Sequence, residues 1–183
     1  MSQVLIVEDD RITAMQYKVA LEARNHKVSI THDGEECLRA YSEALSASRS
    51  LNPRLKITHP YDTVIIDYKI PKINGAQVAM EILSFNPRQK IVFATAYMSE
   101  LLDYFPNIAR LGRYVTIIPK PFEYRFLIDV VEDRIILDEL RALGVDVDAL
   151  LAAGATHDDL VALLEKIKAL SEGDDGGDGI SLR

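Results

Sequence analysis

Residues 4–10, VLIVEDD, join four consecutive apolar residues to three consecutive acids. A short apolar run of this kind is typical of a parallel strand that is buried on both faces, and the acids then lie at its carboxyl end. Apolar residues recur at helical spacing from residue 12 to residue 20, and we interpret Asp10 as the N-cap of that helix. The stretch therefore predicts a buried strand, a polar strand end and a helix, in that order.

The same order of elements recurs along the chain. Further apolar runs occupy residues 28–30, 63–66, 90–94 and 114–118, and most are separated by segments with helical spacing. Five such strands predict an α/β fold, namely a doubly wound, five-stranded parallel sheet with helices on both faces. Ligands bind at the carboxyl edge of such a sheet. The polar residues that follow or end the predicted strands at this edge are Glu8, Asp9, Asp67, Thr95 and Lys120.

Three segments do not fit this alternation. Residues 46–60 are rich in serine and contain an Asn-Pro pair, so they predict a long loop inserted before the third strand. Two short helices at 147–153 and 156–170 predict a C-terminal α-helical extension, in which Thr156 and Asp159 form a capping box. The last residues are rich in glycine and acid. We thus expect a sheet domain at 1–142, a helical hairpin at 143–171 and a flexible acidic tail at 172–183.

The helix that follows residue 122 is apolar over more of its circumference than one sheet-facing stripe requires. A second face of this helix must therefore be buried. Two covers are compatible with the sequence: the C-terminal hairpin of the same chain, or a second copy of the chain across a two-fold axis. We favour a homodimer that forms through the 122–170 helices.

The composition excludes several classes of function. The chain carries 21 basic and 28 acidic residues, and residues 123–183 alone carry 6 basic and 15 acidic. This balance argues against nucleic acid and anionic membrane surfaces as partners. No apolar run is long enough to cross a bilayer, and the first strand begins without a charged leader, so we expect a cytoplasmic protein. A single cysteine, Cys37, excludes an internal disulfide or a Cys-rich zinc site.

The predicted strand ends bring together carboxylates and a lysine. Glu8, Asp9 and Asp67 repel one another unless a cation lies between them, and oxygen ligands favour Mg²⁺ or Mn²⁺. Lys120 and the Thr95 hydroxyl add a positive charge and a hydrogen-bond donor, a combination suited to a phosphoryl group. A carboxylate can attack phosphorus and form an acyl phosphate when neighbouring cations neutralise the phosphoryl oxygens. One of the three carboxylates is therefore a candidate nucleophile.

Four motifs carry a resemblance to a known family: VLIVEDD, VIIDYKIPKING, KIVFATA and IIPKPF, each at the end of a predicted strand. With these motifs, residues 2–141 resemble the receiver domain of two-component response regulators, which has a flavodoxin-like fold. The resemblance implies that Asp67 is the phosphoacceptor and that Lys120 contacts the phosphoryl group. The ligands of the metal implied by the resemblance are Glu8, Asp9, Asp67 and the main-chain carbonyl of Lys69.

The resemblance also assigns residues around the phosphoryl group. Thr95 and Ala96 are implied as phosphate-binding and switch residues, and the peptide bond before Pro121 is implied to be cis. Lys69 and Tyr97 occupy the two positions where the family tunes hydrolysis of the phosphoryl group. Because a long cation and an aromatic ring at these positions obstruct the attacking water, we expect slow self-dephosphorylation.

One position departs from the family pattern. An aromatic residue commonly stands three positions before the family's lysine and turns inward on phosphorylation, but here this position is Ile117. Tyr97 and Tyr114 are the candidate substitutes, with core or surface packing as the alternative role for both.

Our leading hypothesis is a phosphorylation-dependent switch rather than an enzyme. A histidine kinase or phosphotransfer protein is expected to phosphorylate Asp67, and the altered surface then binds or releases a protein partner without a DNA-binding output. A first alternative is a transcription regulator that uses the C-terminal helices as its output. A second is an aspartyl-phosphate phosphatase, which requires an acid two residues beyond the nucleophile, where this chain has Lys69.

Overall fold

The structure is a computed structural model, which describes residues 1–51, 59–104 and 114–173. Within these residues, strands and helices alternate along the chain up to residue 142, and two further helices follow. In chain order the elements are β1 (Gln3–Val7), α1 (Arg11–Glu22), β2 (Lys27–Thr31), α2 (Gly34–Leu51), β3 (Thr63–Ile66), α3 (Gly75–Phe85), β4 (Lys90–Thr95), α4 (Met98–Tyr104), β5 (Val115–Pro119), α5 (Tyr124–Ala142), α6 (Val147–Ala152) and α7 (His157–Gly173).

The five strands form one sheet in the order β2-β1-β3-β4-β5, and every neighbouring pair is parallel. This confirms the predicted α/β fold class. In the register of the sheet, Val7 of β1 lies opposite Ile66 of β3, so the residues that follow these two strands emerge side by side. The central strands β3 and β4 are buried along their whole length, as their apolar sequences require.

Side-chain caps fix where the helices next to the sheet edge begin. Asp10 is the N-cap of α1, because its Oδ1 accepts a hydrogen bond of 2.7 Å from the Thr13 backbone N–H. Asn74 caps α3 in the same way, and the Gln77 side chain bonds back to the Asn74 backbone to complete a capping box. Each of these helices follows a strand whose next residue is an acid, Glu8 after β1 and Asp67 after β3.

Helix α2 is longer than the sequence predicted. The predicted loop at 46–60 was expected to begin after a helix that ends near residue 45, but α2 continues to Leu51. The serines that suggested a loop are accommodated in the helix: Ser46 Oγ donates to the Ser42 carbonyl at 2.9 Å, and Ser50 Oγ donates to the Ser46 carbonyl at 3.0 Å. The remainder of the predicted loop, residues 52–58, lies outside the described residues.

The chain divides into two compact units, Met1–Leu127 and Ile128–Arg183. The division falls within α5, whereas the sequence predicted a boundary at 142. The reason is the second apolar face of α5, which belongs to a separate core. The buried residues of this second core come from α5, α6 and α7 and are Ile136, Leu140, Val147, Leu160 and Leu164.

Within the second unit, α6 and α7 pack against the second apolar face of α5. This is one of the two covers that the sequence left open, namely the C-terminal hairpin of the same chain. Glycines Gly144 and Gly154 end α5 and α6 with φ angles of +81°, in the left-handed region that favours glycine. Thr156 and Asp159 form the predicted capping box at the start of α7.

No helix among the described residues is both long and apolar enough to cross a membrane. The predicted flexible tail falls largely on residues 174–183, which lie outside the described residues.

Candidate functional site

Three of the predicted site residues meet at the carboxyl edge of the sheet. Glu8 follows β1, Asp67 follows β3 and Lys120 follows β5. The Nζ atom of Lys120 lies 2.6 Å from Glu8 Oε2 and 2.7 Å from Asp67 Oδ2. The Asp67 backbone N–H donates to the Val7 carbonyl at 3.0 Å, and the Glu8 N–H donates to the Thr31 carbonyl at 3.1 Å, so the sheet ladder extends into the site. One ammonium group therefore bridges two carboxylates on neighbouring strands.

Burial and charge set the ionisation of this cluster. Burial raises the pKa of Glu8 above its ordinary value, although the hydrogen bond from Lys120 opposes that effect. Burial lowers the pKa of Lys120, but its hydrogen bonds to Asp67 and Glu8 outweigh burial, so the pKa lies above the ordinary value for lysine. Lys120 is therefore charged at neutral pH and compensates the negative charge that the two acids carry.

The oxygen donors at this edge suit Mg²⁺ in type. Glu8 and Asp67 are buried, and Asp9 is exposed immediately beside Glu8. Among the residues that the structure describes, no group of three or more His, Cys, Asp or Glu side chains is arranged as a metal site. Proteins commonly bind Mg²⁺ through only one or two carboxylates together with water. The Glu8–Asp67 pair meets that requirement, and the roles of Asp9 and the Lys69 carbonyl stay predictions.

The other predicted phosphate-binding residues lie at the ends of β4 and β5. Thr95 is buried, its Oγ1 accepts a hydrogen bond of 3.1 Å from the Tyr97 N–H, and its carbonyl accepts one of 2.9 Å from the Lys120 N–H. Ala96 follows Thr95 and is exposed. The Lys120–Pro121 peptide bond is cis. Because a hydroxyl that accepts one hydrogen bond can still donate its proton, the Thr95 hydroxyl retains a donor.

The two predicted tuning residues are in contact. The Lys69 Nζ atom lies 3.7 Å from the centroid of the Tyr97 ring and 3.1 Å from Glu100 Oε1. The Lys69 backbone N–H donates to Asp67 Oδ1 at 3.3 Å. The structure thus brings Lys69 and Tyr97 together beside Asp67 and adds Glu100, which the sequence did not single out.

Ile117, at the position where the sequence pattern departs from the family, packs against the sheet core while partly buried. A different aromatic residue approaches the cluster: the ring centroid of Tyr17 lies 6.0 Å from Lys120 Nζ, and burial raises the pKa of this tyrosine to about 12. Tyr17 stacks on Phe122 with ring centroids 5.6 Å apart. The sequence did not indicate these two aromatic rings near Lys120, because Tyr17 is one residue of a helix with ordinary amphipathic spacing.

Two further residues that support the site were missed. His32 Nδ1 lies 2.9 Å from the Glu8 carbonyl oxygen, and the His32 backbone N–H donates to Glu36 Oε2 at 2.8 Å. The second is Gly75 at the start of α3, where a Cβ atom would lie 2.2 Å from the Asp67 carbonyl oxygen. A glycine at the first position of the helix after the Asp67 loop is the sequence feature that could have indicated this close approach of two backbone segments.

A family model and the curated relatives of this chain point to the same protein family. The model of the response regulator receiver domain matches residues 4–132. The response regulator ArlR of Staphylococcus aureus is 33% identical over 82 residues, which cover 45% of this chain and 31% of ArlR. The matched region is therefore less than a third of that relative's length.

Solved structures share the fold. A receiver domain protein from Clostridium thermocellum aligns with a TM-score of 0.58 and 21% identity over 76% of this chain and 98% of that chain. The non-phosphorylated HemR receiver domain from Leptospira biflexa aligns with a TM-score of 0.54 and 25% identity over 74% and 94% of the two chains. The response regulator TrrA from Thermotoga maritima, solved in complex with Mg²⁺ and BeF, aligns with a TM-score of 0.55 and 24% identity over 73% and 98%. These likenesses confirm the predicted receiver fold.

Proposed function

The chain belongs to the response regulator receiver domain family, and from that premise we propose that Asp67 accepts a phosphoryl group from a histidine kinase or a phosphotransfer protein. The motif VIIDYKIPKING places Asp67 at the phosphoacceptor position of the family. One structural observation supports a phosphoryl site here: the buried carboxylate of Asp67 shares the Lys120 ammonium with Glu8, at 2.7 and 2.6 Å respectively. A cation in this position stabilises charge that develops on phosphoryl oxygens during transfer.

The proposed step is a phosphoryl transfer between two nucleophiles. A carboxylate oxygen of Asp67 attacks phosphorus, the bond between phosphorus and the donor's imidazole nitrogen breaks, and that nitrogen takes up a proton. Asp67 then carries an acyl phosphate. Lys120 exchanges one carboxylate contact for a contact with a phosphoryl oxygen, and the Thr95 hydroxyl donates a hydrogen bond to a second phosphoryl oxygen. Glu8, Asp9, Asp67 and the main-chain carbonyl of Lys69 would hold Mg²⁺, which would neutralise further negative charge on the phosphoryl group.

We propose that the output is a change in protein–protein interaction without DNA binding. The charge of residues 123–183, with 6 basic and 15 acidic residues, opposes contact with a phosphate backbone. The apolar side chains of α7 also contribute to a core, since Leu160 and Leu164 are buried. A transcription regulator that uses these helices as its output is therefore the weaker alternative.

The remaining parts of the proposal concern turnover, location and assembly. An aspartyl-phosphate phosphatase requires a second acid two residues after its nucleophile, and Lys69 occupies that position here. We therefore propose that the chain acts as a switch rather than as an enzyme. We also propose that it acts in the cytoplasm.

Homodimerisation through the 122–170 helices is a separate proposal. It is supported by Leu143, Leu151 and Leu170, which stay exposed although the second core has formed. Light scattering with and without a phosphoryl analogue tests it.

Phosphorylation is tested with acetyl phosphate and Mg²⁺. We expect the wild type to gain one phosphoryl group, seen as an increase in intact mass that hydroxylamine removes, and we expect Asp67→Asn to gain none. Asp9→Asn measured in parallel should require a higher Mg²⁺ concentration for the same labelling rate, because it removes one negative charge from the metal site. Undiminished, hydroxylamine-sensitive labelling of Asp67→Asn would overturn the assignment.

A further inference from the structure

The side chain of His32 links the turn between β2 and α2 to the turn between β1 and α1. The paired register of β1 and β2 ends at Val7 and Thr31, and one further backbone bond joins the Glu8 N–H to the Thr31 carbonyl at 3.1 Å. The Glu8 carbonyl oxygen then lies 2.9 Å from His32 Nδ1. Because a carbonyl oxygen can only accept, Nδ1 carries the proton and donates in this hydrogen bond. A side chain therefore holds the backbone of β1 just beyond the end of the ladder.

The backbone around His32 is itself anchored. The His32 N–H donates to Glu36 Oε2 at 2.8 Å, and the Glu36 N–H donates to Asp33 Oδ1 at 2.8 Å, so this turn is bonded to the start of α2. The Gly34 N–H donates to the Pro71 carbonyl at 3.2 Å, which bonds the same turn to the loop after β3. The imidazole therefore belongs to a turn whose backbone is held from two sides.

The hydrogen bond from His32 acts on the peptide group that joins Glu8 to Asp9. This group is planar, so holding its carbonyl oxygen also fixes the direction of the Asp9 N–H and restricts the backbone rotations on either side. Asp9 is exposed and immediately precedes the N-cap of α1. Glu8 and Asp9 are the adjacent acids that the proposed function assigns to the metal. Ordering such ligands before the ion arrives lowers the entropy that binding must cost.

We propose that His32 is a positioning residue for Mg²⁺, which holds the peptide group between Glu8 and Asp9 and so raises the affinity of these two acids for the ion. The inference rests on the proposed function, which assigns both acids to the metal. The role requires a hydrogen-bond donor at the position of Nδ1. The amide nitrogen of asparagine lies at a similar distance from the backbone and can replace this donor, whereas the amide of glutamine lies one methylene farther away.

Metal binding is measured in the unphosphorylated proteins with Mn²⁺ as the probe. Free Mn²⁺ gives an electron paramagnetic resonance signal that is lost on binding, and added Mg²⁺ should restore the signal by competition for the same site. We expect the Mn²⁺ affinity to fall about two- to tenfold in His32→Gln, as suits the loss of one hydrogen bond, and to stay within about twofold of wild type in His32→Asn. The matched control is His26→Gln, which removes an imidazole just before the opposite end of β2 and should bind Mn²⁺ as wild type does.

A double-mutant cycle tests whether His32 acts through Asp9. Asp9→Asn removes the carboxylate whose backbone His32 holds, so His32→Gln should weaken Mn²⁺ binding less in this background than in wild type. The same factor of loss in both backgrounds would contradict the proposed route, and so would an Asn variant at residue 32 that binds as weakly as His32→Gln. Equal affinity of His32→Gln and wild type would overturn the positioning role while leaving the metal assignment intact. Absence of Mn²⁺ binding by wild type would instead overturn the metal assignment of the proposed function and, with it, this inference.

Discussion

Replacing Lys120 by methionine removes the one ammonium group that the two buried carboxylates share. Glu8 and Asp67 then face each other without the contacts of 2.6 and 2.7 Å that now compensate their charge. Removing one partner of a buried ion pair costs about 3–5 kcal/mol. Because 21% of the Lys120 side chain is exposed, water solvates part of the cluster. We therefore expect the free energy of unfolding to fall by about 3 kcal/mol, the lower end of that range.

The loss should depend on pH, with a sign that follows from Glu8. The pKa of Glu8 is raised in the folded protein by burial, so the folded state binds this proton more tightly than the unfolded state. Glu8 thus contributes stability at acidic pH that is lost as the pH rises through its raised pKa. Without Lys120 that pKa rises further, and the deficit of the variant should be larger at about pH 7.5 than at about pH 5.

Urea unfolding in metal-free buffer at both pH values measures this deficit. The matched control is Lys72→Met, because Lys72 also contacts two acids, Asp33 at 2.8 Å and Glu35 at 3.4 Å, but is half exposed. Screening by solvent makes such a pair weak, so we expect little change for the control. Equal stability of Lys120→Met and wild type at neutral pH would refute the view that this ammonium compensates the buried acids.

Two further predictions concern the first unit. Gly75→Ala places a Cβ atom 2.2 Å from the Asp67 carbonyl oxygen. The backbone must shift, and we expect a loss of about 1–3 kcal/mol in urea unfolding together with slower labelling by acetyl phosphate; a variant that matches wild type in both would contradict this. Burial raises the pKa of the Cys37 thiol to about 12, so it should resist a disulfide reagent in the native protein and react after unfolding in urea; rapid reaction of the native protein would show that the thiol is accessible.

The sheet and the central cluster could be predicted from the sequence because their signals are local. A run such as VLIV identifies a buried strand, and the residue that follows it must emerge at the carboxyl edge. Parallel strands then bring Glu8, Asp67 and Lys120 to the same edge whatever their separation in the chain. The motifs around these residues also indicate a receiver domain, which the family comparison confirms.

The support around the cluster could not be predicted because it depends on contacts between distant residues. Glu100 lies 31 residues from Lys69, and His32 lies 24 residues from Glu8. No spacing in the sequence relates these pairs. The length of α2 was missed for a different reason: serine hydroxyls favour loops, yet Ser46 and Ser50 satisfy theirs on the preceding helical turn.

The position of the phosphoryl group is the central claim, and chemical trapping tests it most directly. Borohydride reduces an acyl phosphate to an alcohol, so an aspartate that carried a phosphoryl group becomes homoserine. The protein is incubated with acetyl phosphate and Mg²⁺, reduced, digested and analysed by peptide mass spectrometry. We predict homoserine at residue 67 and at no other carboxylate, with none when acetyl phosphate is omitted. Homoserine at Asp9 or at another aspartate, or the corresponding longer alcohol at Glu8 or at another glutamate, with an unmodified Asp67, would contradict the account.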